Sequence, residues 1–88
     1  MAELFLHRGL ARLQLNQTNA ARADFGETIR RAPDLARPYA ERARLGLRAD
    51  NPAALTDIAM ALRIEPNESR WQALAARINL ATGDNAAA

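Results

Sequence analysis

The chain repeats itself, and a repeat of this length leaves few folds open. Ala21, Phe25 and Pro33 return at one fixed offset as Ala54, Ile58 and Pro66. Phe5, Arg8, Gly9, Leu13 and Asn16 return as Tyr39, Arg42, Ala43, Leu47 and Asp50, at an offset longer by one position. The extra position falls in the turn inside each unit. Trp71 and Ala87 stand two such periods after Phe5 and Ala21, so a third unit begins. A period of this kind marks a supersecondary unit that cannot bury its apolar face alone and has to stack on a neighbour.

Each unit reads as two helices. The stretch NPAALTDIAMALRIEP shows one of them with both ends written in. Asn51 suits a helix cap, Pro52 the first helical position, and Pro66 ends the helix. Between them Ala54, Leu55, Ile58, Ala61, Leu62 and Glu65 follow the three-and-four spacing of one broad helix face. The same reasoning predicts helices over about Ala2 to Leu15, Ala20 to Ala32, Ala36 to Arg48 and Ser69 to Thr82. Asn16 to Asn19 form the first turn, Pro33 and Asp34 break the second helix, and Gly83 suits the end of the last.

Composition narrows the chemistry. A chain of 88 residues makes one small domain, of a size that buries only roughly 60% of its unfolded surface. There is no cysteine, and the lone His7 has no carboxylate cluster at ligand spacing, so neither disulfides nor a metal site is expected. Ser69 is the sole serine, and Gly9, Gly26, Gly46 and Gly83 are scattered, so no catalytic triad or phosphate loop assembles. We therefore expect no enzyme activity and no cofactor. No apolar run approaches the ~18 residues of a membrane span, and MAELFLHRG lacks the basic start and apolar middle of a secretion signal. A cytoplasmic setting is the default expectation. All 12 basic residues are arginine, which lifts the isoelectric point to about 10.4 although the net charge is only +2.

These residues resemble the tetratricopeptide repeat family, whose unit of about 34 residues pairs two helices with the pattern W-x2-L-G-x2-Y, A-x3-F and P. Phe5, Gly9, Ala21, Phe25 and Pro33 take the pattern's places in the first unit. Tyr39, Ala43, Ala54, Ile58, Ala61 and Pro66 take them in the second, and Trp71, Leu74, Ala75 and Ile78 open a third. The departures are Arg8 and Arg42 at the leucine place, Arg12 and Gly46 at the tyrosine place, and the shortened second turn. The resemblance implies an all-α fold, a right-handed helical-hairpin solenoid of about five antiparallel helices. It divides a single domain, 1-88, into unit one (2-35), unit two (36-68) and a capping or partial unit (69-88).

Two charged pairs follow the same period. Arg8 and Arg42 recur on the first helix of each unit, Asp24 and Asp57 on the second. We expect Arg8 to pair with Asp24 and Arg42 with Asp57, each arginine stem lying along the apolar interface. The alternative is that all four are solvated.

If Phe5, Tyr39 and Trp71 point into the stack, the other side of each first helix lines the concave groove in which tetratricopeptide proteins bind peptides. The resemblance then places Leu6, Leu10 and Leu13, with Glu3, at one end. Arg37, Arg44 and Arg48, beside Glu41, fill the middle, and Gln72 and Asn79, with Ala76, close the other end. Arginine forks suit carboxylates, so the expected partner is a protein or peptide with an acidic segment. The clamp that some family members place on chaperone carboxyl termini is disfavoured, since Leu6 and Leu10 stand where its polar residues would be. RNA is disfavoured because the groove arginines have no aromatic neighbour for base stacking. A homodimer through the Leu6, Leu10, Leu13 stripe is the rival expectation. The run Ala86 to Ala88 is either native repeat or an added tail.

Overall fold

The structure, a computed structural model, describes the backbone of residues 2–48 and 53–82 and the side chains of residues 2–46 and 53–80. The described residues form five α-helices and no strand: α1 (Ala2–Gln14), α2 (Thr18–Arg31), α3 (Ala36–Arg48), α4 (Ala53–Ile64) and α5 (Ser69–Thr82). The expected boundaries of α3 and α5 agree with these, while α2 begins two residues earlier than expected. Asn51 and Pro52 at the head of α4, Gly83 and Ala86 to Ala88 lie outside the described residues.

The early start of α2 comes from the way α1 ends. Asn16 adopts φ 62°, in the left-handed region. Its amide donates to the Leu13 carbonyl, and the Gln17 amide reaches back to Arg12. That is a Schellman closure, with asparagine in the place glycine most often takes. The chain reverses within two residues, and the Gln17 carbonyl already accepts the first bond of α2 from Ala21.

Packing is closest between α1 and α2 and between α3 and α4, with α2 on α3, α4 on α5, and α3 on α5 completing the set. The assembly measures 42 × 26 × 18 Å. Two apolar clusters hold it. The larger joins Ala36, Tyr39, Ala40 and Ala43 of α3 to Ala54, Ile58 and Ala61 of α4 and to Trp71, Leu74 and Ile78 of α5. The smaller joins Ala21 and Phe25 of α2 to Leu45 of α3, with Leu6, Leu10 and Leu13 of α1 packed against it.

Small residues set the approach of paired helices. A Cβ on Gly9 would lie 2.8 Å from Cε1 of Phe25 and 3.1 Å from Cβ of Asp24. A Cβ on Gly46 would lie 3.1 Å from that of Ala54, so α3 and α4 also nearly touch there. Larger side chains at these places would force the helices apart.

The junctions between units share one device. The Tyr39 hydroxyl donates to the carbonyl of Pro33 (3.1 Å), and the Gln72 side-chain amide donates to that of Pro66 (2.9 Å). Trp71, buried to 1% exposure, adds a bond from its indole nitrogen to the Glu65 carboxylate at 2.7 Å. Each closing proline thus leaves a carbonyl that the next helix satisfies. Phe5, at the same repeat place as Tyr39, is only half-buried, contrary to the inward placement expected of all three aromatics. The guanidinium groups of Arg31 (4.7 Å) and Arg8 (5.4 Å) lie over its ring.

Candidate functional site

The paired arginines and aspartates occupy the edges of the two helix pairs. Arg8 donates from Nε and Nη2 to the two carboxylate oxygens of Asp24, at 3.0 and 2.8 Å. Arg42 repeats the fork on Asp57 at 2.9 and 2.8 Å. Both carboxylates are buried while their arginines stay partly exposed, as expected for a long stem on an apolar interface. Asp24 also accepts from Arg12 at 3.1 Å. The hydrogen bond from Arg8 holds the Asp24 carboxyl below the usual carboxylate range, with help from the charges of Arg12 and Arg8 and against the opposing effect of burial.

The expected groove residues meet mixed surroundings. Leu6, Leu10 and Leu13 are half-buried rather than an exposed stripe, because the smaller cluster takes up one side of them. Among the described residues, the leucines more than half exposed are Leu4, Leu15 and Leu80. On α3, Arg37 donates to Glu41 at 3.4 Å and Arg44 donates to its other oxygen at 3.1 Å. Glu41 is 4% exposed, so this carboxylate is held between two guanidinium groups and takes up part of their charge. Arg48 ends α3, and its side chain lies outside the described residues. On α5, Gln72 is exposed and spends one amide hydrogen on Pro66, and Asn79 is half-buried and engaged rather than free. Leu45 of α3 sits in one cluster with the three leucines of α1, and α3 packs on α5.

The arginine that sequence reading missed is Arg22, which lines a cleft together with the expected Arg42–Asp57 pair. A cleft of about 380 Å³ is lined by Arg22 of α2, Arg42 and Gly46 of α3, and Thr56 and Asp57 of α4, among others. A second, of about 450 Å³, shares Arg42, Thr56 and Asp57 and is also lined by Tyr39, Met60 and Arg63. The signal for it was present: Gly46 occupies the repeat place that Arg12 holds in the first unit. The second unit therefore lacks the extra guanidinium that the first lays on its aspartate.

No helix among the described residues is long and apolar enough to cross a membrane. No group of histidine, aspartate and glutamate side chains among them is arranged to hold a metal ion. No protein-family model matches the chain, and neither a curated protein nor a solved structure does.

Proposed function

We propose that the chain is a tetratricopeptide-like module, a right-handed solenoid of two units and a partial third, that binds a peptide or helix of a partner protein. The binding face is made by α1, α3 and α5. The repeat reading is supported by the in-register recurrence of the Arg8–Asp24 and Arg42–Asp57 forks and of the proline-carbonyl junctions. The observation that carries the binding reading is the half-exposed leucine row Leu6, Leu10, Leu13 on α1, with the Arg37–Glu41–Arg44 cluster on α3, where Leu45, one turn after Glu41, packs with the leucines. An apolar strip with two cations sharing one carboxylate suits a segment that carries apolar anchors and an acidic side chain. Nothing in this reading calls for catalysis.

Panning a library of displayed random peptides on the folded chain tests it. Enriched peptides should contain apolar and acidic residues and should lose binding to Leu10→Asp and Arg44→Glu. Enrichment that survives both substitutions would place binding somewhere else.

Self-association is the second reading, favoured by Leu4 and Leu15, which are 61% and 67% exposed near the two ends of α1, and by Leu80 at 68%. Sedimentation across a concentration series separates the two: a constant monomer mass removes this reading, and a rising mass that Leu4→Asp with Leu15→Asp abolishes supports it.

A further inference from the structure

We infer that the cleft between α2, α3 and α4 is a second site, distinct from the α1, α3, α5 face, and that it takes a carboxylate side chain from an acidic segment of a partner protein. The two units differ at the aspartate. In the first, Asp24 accepts from Arg8 and from Arg12. In the second, Gly46 stands where Arg12 stands in the first, no second guanidinium reaches Asp57 among the described residues, and Gly46, Arg42 and Asp57 line a cleft of about 380 Å³.

What faces that space is cationic. Arg42 uses Nε and Nη2 on Asp57, and its Nη1 makes no hydrogen bond among the described residues. That nitrogen points toward α2, where a Cβ on Gly26 would lie 3.8 Å from it. Arg22, one turn before Gly26 on α2, lines the same cleft and has no ion pair or hydrogen bond among the described residues. Arg63 lines the adjoining cavity, so the two clefts together are lined by three guanidinium groups and one carboxylate, Asp57, which Arg42 already binds. The Thr56 hydroxyl adds a neutral donor. Partly exposed guanidinium donors without acceptors, beside a pair already neutralised, favour an incoming anion, and the planar fork matches a carboxylate. Arg37 and Arg44 contrast with them, since both already bind Glu41.

The test is a titration of the intact chain with a capped hexaglutamate peptide at about 0.15 M salt, where long-range attraction is screened. Arginine Nε–H resonances would be followed by NMR. We expect saturable shifts at Arg22 and Arg42, none with capped hexaglutamine, and roughly tenfold weaker binding for Arg22→Gln, the loss of one charge-assisted contact. Arg77→Gln should stay within about twofold of the parent. Equal weakening by Arg77→Gln would mean unspecific attraction and overturn the proposal, as would unchanged binding by Arg22→Gln. Inorganic phosphate that saturates the same resonances while the peptide does not would overturn the carboxylate as ligand. Arg22→Gln leaves the leucine row of α1 untouched and Leu10→Asp leaves the cleft untouched, so either site can fail alone.

Discussion

Gly9 lies so close to Phe25 that a Cβ on it would stand 2.8 Å from the ring carbon Cε1, whereas a Cβ on Gly26 would meet only Arg42 Nη1 at 3.8 Å. Gly9 and Gly26 therefore respond oppositely to alanine. Alanine gains roughly 1 kcal/mol of helix propensity over glycine at either place. At Gly9 overpacking against a buried ring costs roughly 1–3 kcal/mol and outweighs that gain. Gly26→Ala should raise the denaturation midpoint and Gly9→Ala should lower it, as measured by urea titration of helicity.

The two arginine forks differ in redundancy. Among the described residues Asp57 pairs with Arg42 alone, while Asp24 has Arg12 as a second donor beside Arg8. A double-mutant cycle with Arg42→Gln and Asp57→Asn should return a coupling of about 1 kcal/mol. Arg8→Gln should cost less than Arg42→Gln, because Arg12 remains on the buried carboxylate. Denaturation curves of the four variants check both statements.

Acid should weaken the fold in a defined direction. Arg8 first, and Arg12 with it, hold the Asp24 carboxyl below its ordinary range. Arg30 and Arg31 do the same to Glu27, and Arg70 to Glu68. Around and below the ordinary carboxylate values the unfolded chain then binds more protons than the folded one. Stability is therefore full above those values and falls as the pH drops through the lowered ones. Between about pH 5 and 3 the slope should be shallower in Asp24→Asn, which removes one of the linked protons. Thermal melts across that range measure it.

Trp71 seats α5. It is buried in the larger cluster, and its indole nitrogen bonds Glu65 at 2.7 Å. Trp71→Ala should cost about 3–5 kcal/mol, comparable with the whole stability of a domain this small. Trp71→Phe keeps most of the packing and loses one hydrogen bond, about 1 kcal/mol. Circular dichroism should show lost helicity for the first and near-native helicity for the second.

Much of this architecture was legible in the chain because its signals are periodic. Pro33, Pro66 and apolar residues at helical spacing marked five helices, and the recurrence of Arg8 as Arg42 and of Asp24 as Asp57 anticipated both forks. The start of α2 was less legible, since the left-handed turn at Asn16 has no glycine to announce it. The candidate site was read in part. Arg37 and Arg44 stand one helical turn from Glu41 on either side, so their contacts with it are local. The burial of Glu41, which commits both arginines to it, comes from tertiary packing.

The sequence by itself determined the helices, the pairing of charges within each unit, and the small residues where helices meet. A helix has one period, and residues that share its face can be counted along the chain. Only the tertiary structure decided that Phe5 stays half-buried under two arginines, that Leu45 takes up the leucines of α1, and that Arg22 and Arg42 line one cleft with Gly46. Those relationships join different helices, and they depend on how closely the helices approach and on which long side chain fills the gap. No spacing along one helix encodes that geometry.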